Sequence, residues 1–442
     1  MASIRRSIQH PARLVPLGFL GAILTGTVLL MLPAAEATGA GAPFLVALFT
    51  ATSAVCVTGL IVVDTPTYWS GFGQGVILVL FQIGGFGIMT GATLLTLVVT
   101  RRLGIGGRIA AQAETKSVGV GDVASVLRLI FVVTVVVQVV VALILQARLS
   151  LVYGVSAGEA AWHAIFQSVS AFNNAGFSTY SDSLMQFARD PVMLLPLMGA
   201  VVIGGLGFPV LYELYRRRAA GLSLHSRITL IGTVVLLVVG LVGTAAYEWN
   251  NTLAELDWSE RLLNATSHSV MSRTAGFNSI DVGAMNTETL LLTYALMFIG
   301  GGSAGTAGGI KVTTFVLLGF VVWAEIRGSR DTNAFRRRIS QATQRQALSV
   351  VLLATASVAI GTLILATVTD FPLEDVLFEA ISAFATVGLS TGITADLPPL
   401  GQVVIIVLMF VGRVGTITFA TALALNERVQ PYRYPEERPI VG

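Results

Sequence analysis

Four short segments carry a pattern suited to handling a bare cation. They read Val57-Thr58-Gly59, Asn174-Ala175-Gly176, Thr274-Ala275-Gly276 and Thr386-Val387-Gly388, with their glycines 117, 100 and 112 residues apart. Each glycine ends a short amphipathic stretch, and three of these pass through the same step: Ser53-Ala54, Ser170-Ala171 and Ser382-Ala383. The third segment is the most divergent, with His268-Ser269 followed by Ser272-Arg273. A half-helix entering from one side, then an extended return around a glycine, presents backbone carbonyls that can replace a cation's hydration shell. Glycine suits the return because it reaches angles closed to other residues and lets an ion approach the chain. The half-helix C-termini add negative potential at the same point. Thr386-Val387-Gly388 alone is a weak signal among 46 glycines, but four corresponding copies point to a fourfold pore.

A second glycine cluster interrupts an apolar run: Gly300-Gly301-Gly302-Ser303-Ala304-Gly305-Thr306-Ala307-Gly308-Gly309-Ile310-Lys311. Its Gly300-x-Gly302-x-x-Gly305 spacing matches the dinucleotide fingerprint literally, with Glu325 downstream, but no strand–turn–helix unit surrounds it. A phosphate-binding loop fails too, since Ile310 precedes Lys311 where glycine belongs and Val312 follows where Ser or Thr belongs. The cluster reads instead as a helix broken at mid-membrane, which is tolerated where it lines a cavity. A tight helix-packing face of small residues is the alternative. Arg413 lies inside another apolar run, in Val411-Gly412-Arg413-Val414-Gly415. A charge there costs about 2.5–3.5 kcal/mol on insertion scales, so it should face the protein interior or a cavity. Asp64, Asp182, Asp281 and Asp396 follow the four segments and would draw cations to an outer mouth, or are simply solvated loop acids. His163, His225 and His268 are scattered singly, Cys56 is alone, and no nucleophile–base pair or metal-ligand spacing appears.

The elements that must hold these segments are membrane spans. Of 442 residues, 54% are hydrophobic and 12% charged, with mean hydropathy +0.79, against about 25% charged in an average soluble domain. A span needs about 20 mostly apolar residues. Such runs occur at Leu14–Leu32, Gly75–Thr100, Leu129–Ala147, Val192–Leu214, Ile228–Tyr247, Thr289–Trp323, Ala347–Thr369 and Gln402–Leu425. The first is too long for a cleaved signal, although Ala35-Glu36-Ala37 resembles a cleavage site. Glycine groups at Gly84-Gly85-x-Gly87 and Gly204-Gly205-x-Gly207 read as close packing around the pore, and Pro209 as a kink in the fourth span. The net charge of +3 conceals a polarised chain. With the N-terminus inside, 21 of 27 basic residues fall in cytoplasmic pieces, four (Arg148, Arg189, Arg261, Arg273) fall outside, and 16 of 24 acids fall outside. Lys311 and Arg413 remain within the membrane. Both termini are therefore expected in the cytoplasm.

Together these features give an all-α polytopic membrane protein: eight transmembrane helices in four parallel span–pore-helix–span repeats around one central pore. The repeats are expected at 1–101, 123–218, 223–326 (with the glycine-rich loop at 300–311) and 346–427, before a cytoplasmic tail at 428–442. The filter glycines, Ser272-Arg273-Thr274-Ala275-Gly276-Phe277-Asn278 and Gln82-Ile83-Gly84-Gly85 resemble the Trk/Ktr/HKT superfamily of potassium transporters over about residues 14–442. Trk-type subunits carry two further N-terminal spans, for which no apolar run is read here, so the resemblance is closest to KtrB-type translocating subunits. It implies that the four glycine segments form a selectivity filter holding K+ at backbone carbonyls. It also implies that Gly300–Lys311 and Arg413 form a gate below the filter, and that Gly59, rather than serine, goes with potassium preference over sodium. A homodimer with one pore per chain, a cytosolic nucleotide-binding regulatory ring (KtrA-like) and no organic cofactor in this chain follow from the same resemblance. Arg327–Arg345 and the tail after Gln430 are the expected docking surfaces for the ring. Residence in the cell's inner (plasma) membrane is expected, and neither enzyme activity nor nucleic-acid binding is. The rival is a secondary transporter with a broken-helix substrate site; the parallel repeats favour the pore over it.

Overall fold

Apolar length sets the first level of structure. The computed structural model describes residues 11–102, 123–217 and 221–415. Its helices of ten residues or more, in chain order, are α1 (Pro11–Leu30), α2 (Phe44–Val55), α3 (Gly71–Arg102), α4 (Val123–Leu151), α5 (Ala157–Asn173), α6 (Pro191–Leu206) and α7 (Phe208–Arg217). They continue with α8 (Leu224–Glu248), α9 (Trp258–Met271), α10 (Thr287–Phe298), α11 (Val312–Ile326), α12 (Gln341–Val368), α13 (Leu373–Ala385) and α14 (Pro399–Phe410). A two-residue hairpin, β1 (Asn333–Ala334) with β2 (Arg337–Arg338), lies between α11 and α12. The fold is thus almost wholly helical. The parts of the expected scheme at Arg5, Arg6, Arg108, Lys116, Thr416–Leu425 and the tail 428–442 lie outside the described residues.

Among the described residues, three helices are long and apolar enough to cross a membrane: Leu127–Leu151 within α4, then α8 and α12. Helices α6 and α7 meet that test together, but with a 98° bend. The expected fourth span is therefore not one rod kinked at Pro209. It breaks at Gly207, whose φ of +90° a side chain would resist, and where a Cβ would run into the Ser303 carbonyl. The sixth apolar run divides into α10 and α11 around the glycine cluster, and the eighth passes from α14 into a π-helical turn at Val411–Gly415.

The radial pattern is that of a lipid-solvated protein. Leu143, Val242 and Leu363 on the three long helices are 60%, 60% and 67% exposed. Buried threonines, serines, Asn173 and Asn174 gather in the interior instead. Helices α2, α5 and α13 pack against the long segments before and after them, while α9 packs on α8 and on α6. Two of these half-length helices start on side-chain caps, and α2 and α13 start after Pro43 and Pro372. Ser156 caps α5 by accepting from the Glu159 N–H, and Asp257 and Glu260 form a capping box on α9.

Outside the spans, Asp190 ties two units together. It caps α6 through the Val192 N–H (2.9 Å), with Pro191 in the first turn, and accepts from Arg148 Nε (2.8 Å) and the Tyr153 hydroxyl (3.0 Å) beyond α4. Burial pushes its carboxyl up, but the hydrogen bonds from Arg148, Tyr153 and Val192 outweigh that and hold it below the usual carboxylate range. Asp190→Ala should lower the thermal midpoint of detergent-solubilised protein at neutral pH, by the equivalent of about 1.5–3 kcal/mol. A carboxyl with a lowered pKa stabilises above the unfolded value of about 3.9 and loses that contribution as pH falls. The gap between variant and wild type should therefore close in melts taken toward about pH 3; a gap independent of pH would show that charge is not the cause.

Candidate functional site

The four half-helices end where their sequences say they should, and for a common reason. Just past α2, α5 and α13 one residue takes a left-handed conformation: Val57 (φ 56°), two beyond the end of α2, and Asn174 (φ 59°) and Thr386 (φ 50°), directly after α5 and α13. Two bonds close each end. Val57, Asn174 and Thr386 N–H donate to the carbonyls of Ala54, Ala171 and Ala383, and the next N–H donates to Ser53, Ser170 and Ser382. This is a Schellman closure with a β-branched or amide residue where glycine is usual, a strained choice the surroundings must enforce. The same serines then reach over the turn. Ser53 Oγ accepts from Gly59 N–H (3.1 Å) and Ser170 Oγ donates to the Phe177 carbonyl (2.8 Å). Ser382 does both, at 3.1 Å to Gly388 N–H and 2.6 Å to the Leu389 carbonyl. The Ser-Ala step noted in the sequence is this clamp: serine holds the returning strand, and alanine's carbonyl closes the helix.

The third unit is built differently. Its closing bonds, from Ala275 and Gly276 N–H, both go to the Met271 carbonyl, so the turn is displaced by one residue. Val270 stands where the other units have the clamping serine. Arg273 leaves the turn to donate to the Gly300 carbonyl (2.9 Å) and, more weakly, to that of Thr233 (3.4 Å). Its expected place on the outer side is thus corrected: it is 6% exposed and sits below the turn.

The four returns meet in one ring. A Cβ added to Gly59 would lie 2.5 Å from the Ala175 carbonyl oxygen, and one on Gly176 3.0 Å from that of Ala275. At Gly276 and Gly388 it would strike the carbonyls of Val387 and Thr58. The order therefore runs first, second, third, fourth and back to first, and all four glycines have φ between 72° and 97°. Glycine is required here twice over, by conformation and by the neighbouring strand.

The cluster at 300–311 lies directly under this ring. Thr306 Oγ1 donates to Asn174 Oδ1 (3.0 Å) and the Phe172 carbonyl (3.2 Å), and Gly308 N–H donates to Thr274 Oγ1 (3.3 Å). A Cβ on Gly308 would collide with Thr386 Oγ1. The loop thus touches the second, third and fourth strands at the left-handed residue of each. Its backbone docks on the break between α6 and α7, with Gly302 and Thr306 N–H donating to Gly205 and Gly204. Three cations hold its carbonyls: Arg273 at Gly300, Arg413 at Thr306 (2.5 Å) and Lys311 at Ala307 (2.6 Å). Arg413 is 2% exposed, so it does face the interior. The other glycine groups let spans press on half-helix ends. Side chains at Gly84, Gly204 and Gly412 would meet the carbonyls of Val55, Phe172 and Phe384.

Above the ring a cavity of about 380 Å³ opens outward, lined by all four ring glycines, Asp64, Ser178, Tyr180, Ser390 and Thr394 among others. Of the four aspartates expected at a mouth, Asp64 lines it. Asp281 borders a separate outer groove, and Asp182 is bonded to Gln186. The buried Glu379 was not singled out by sequence. The serine spacing was legible in three repeats, whereas nothing local marks where Arg273 points.

A family model described as a cation transport protein (TrkH) matches residues 18–429. The Ktr system potassium uptake protein B of Bacillus subtilis is 39% identical over 98% of this chain and 97% of its own length. The potassium/sodium uptake protein NtpJ of Enterococcus hirae is 36% identical over 99% and 98%. Among solved structures, the potassium transporter TrkH from Vibrio parahaemolyticus matches the fold with a TM-score of 0.70 at 18% identity, covering 93% of this chain and 85% of that one.

The clamp can be tested without ions. Ser382→Ala leaves a buried N–H and carbonyl without their partner, which costs about 1–3 kcal/mol. It should lower the denaturation midpoint in detergent, whereas Ser357→Ala, on the exposed face of α12, should not. Equal midpoints for both would show that the hydroxyl does not brace the strand.

Proposed function

The chain belongs to the TrkH family of cation transport proteins, and from that premise we propose that it conducts K+ across the cell membrane through the glycine ring. The family is one of transporters and not of enzymes. In this proposal Val57-Thr58-Gly59, Asn174-Ala175-Gly176, Thr274-Ala275-Gly276 and Thr386-Val387-Gly388 supply the carbonyls that replace the ion's hydration shell, and Gly300–Lys311 with Arg413 forms the gate beneath them. One observation carries the proposal: four glycines from separate segments close into a ring, each against the carbonyl of the next. The loop supports a gate because it is braced from below by cations and is rich in glycines that allow a second arrangement. Fixed positive charge at that depth opposes cation passage while the loop is in place.

The rest of the assignment follows the same line. The four span–pore-helix–span units lie at 1–101, 123–218, 223–326 and 346–427, with both termini in the cytoplasm and the chain in the inner (plasma) membrane. Two copies pair, each with its own pore. A cytosolic nucleotide-binding ring docks on the basic stretch Arg327–Arg345, in keeping with relatives named as components of a Ktr system. Sodium is the second ion to measure, since the Enterococcus hirae relative is named for both.

Protein reconstituted in liposomes should take up Rb+ or K+ without any organic substrate. Absence of flux from folded protein would overturn the pore in favour of a substrate-binding transporter. Gly59→Ser should lower the preference for K+ over Na+, because the added atoms press on the Ala175 carbonyl; an unchanged permeability ratio would count against the ring as the filter. Removal of Gly301–Thr306 should raise basal flux, and an unaltered rate would argue against the gate.

A further inference from the structure

The fourth half-helix hides a carboxylate behind the ring. Glu379 lies nine residues before Gly388 and is completely buried. It accepts from the Ser390 hydroxyl, from the Thr394 hydroxyl (2.9 Å) and from the Thr391 N–H. Ser390 Oγ in turn accepts from Gly392 N–H at 2.8 Å, leaving its own proton for Glu379. The Thr394 hydroxyl also lies 2.9 Å from Ser390 Oγ, so its proton is shared between Ser390 and Glu379, while the Ser390 hydroxyl and the Thr391 N–H donate to the carboxylate. Donors facing it from three residues suit an ionised, acceptor-only group. Ser390, two residues beyond Gly388, lines the outer cavity directly above the ring.

The other units are neutral at this place. Counted from their glycines, the corresponding residues are Thr50, Gln167 and Ser267. The second unit joins the same two positions through an amide with the direction reversed: Gln167 Nε2 donates to Ser178 Oγ at 2.7 Å, and Ser178, which corresponds to Ser390, donates to the Ser183 carbonyl. Because the ring runs first to fourth in order, the second and fourth units face each other across it. One quadrant therefore carries a charge where its opposite carries a neutral isostere in the same hydrogen-bonded position.

Burial of a charge is costly unless hydrogen bonds and an opposite charge offset it. Around Glu379 the hydroxyls and N–H supply the bonds, and no basic side chain forms an ion pair with it among the described residues. The opposite charge on offer is the cation in the pathway. We propose that Glu379 is a specificity-determining residue that sets cation affinity at the outermost position of the ring, acting across Ser390 without touching the ion. This rests on the pore assignment above. Acting through low-dielectric protein, the carboxylate favours ion entry from the dilute outer side. The facing amide keeps the total charge low enough for the ion to leave inward, since conduction needs binding that is favourable but not tight.

The test is Rb+ uptake into proteoliposomes holding the full chain, with KM and Vmax read separately. Glu379→Gln preserves shape and an acceptor for Ser390 but removes the charge. It should raise KM about tenfold, on the order expected for a unit charge acting across a layer of protein, with Vmax within about twofold. Moving the charge to the facing quadrant, in Glu379→Gln with Gln167→Glu, should bring KM back to within about threefold of wild type. An unchanged KM in Glu379→Gln overturns the proposal. So does a raised KM that the relocated charge fails to lower, because Glu379 would then act only by holding the strand. Should Glu379→Gln not fold, Gln167→Glu alone decides: its added carboxylate should lower KM by about threefold or more, and no change overturns the proposal. Failure of the wild type to take up Rb+ would instead strike the pore assignment, so the two failures are told apart.

Discussion

Backbone that leaves the helix at membrane depth must find its hydrogen bonds inside the protein, because lipid offers none. Most of the special residues in this chain follow from that constraint. The four returning strands and the 300–311 loop are the places where the helix is abandoned, and they are where buried hydroxyls, amides and cations collect. Ser53, Ser170 and Ser382 serve the strands. Arg273, Arg413 and Lys311 serve the loop, each on a backbone carbonyl. Glycines do the remaining work by letting backbones approach where a side chain would separate them. Gly84, Gly204 and Gly412 do so at the half-helix ends, and the ring glycines at the axis.

Similarity among the four units accounts for the ring, and the departures from it fall where the 300–311 loop and the cavity meet it. The third unit gives up the serine clamp and displaces its turn by one residue, and in exchange sends Arg273 to the start of the loop. The loop belongs to that same unit, between α10 and α11, so the strand least held by its own half-helix is the one joined to the segment below. The fourth unit keeps the clamp and adds a buried acid behind it, close to the outer cavity. Departures of opposite charge thus lie on opposite sides of the ring, with cations beneath and a carboxylate toward the cavity.

Much of this was legible in the residues. The glycine quartet, the broken sixth run and the interior arginine at position 413 were all marked by local violations of apolar patterning. Local violations are what sequence displays best. Other features were misread or passed over. Arg273 counted as an outer-loop charge because it lies between spans in sequence, while in space it reaches down to Gly300. The fourth run looked like one kinked rod because Pro209 was the obvious breaker, whereas the bend sits at Gly207, where the loop needs room. Four aspartates looked equivalent after four glycines, yet Asp64 is the one placed at the cavity, since loop paths and not spacing decide exposure.

The sequence by itself determined the solvent and the helical class, and it marked the four glycine segments and an expected orientation. These depend on apolar length, on charge counts in short loops and on near repeats, all readable within a few tens of residues. Only the tertiary structure decided which polar group satisfies which. The Thr306 hydroxyl meets the Phe172 carbonyl across 134 positions of chain, and Arg413 meets the Thr306 carbonyl across 107. A buried donor must have a partner, but nothing local chooses among the many carbonyls that could serve. The packing of spans around the ring makes that choice.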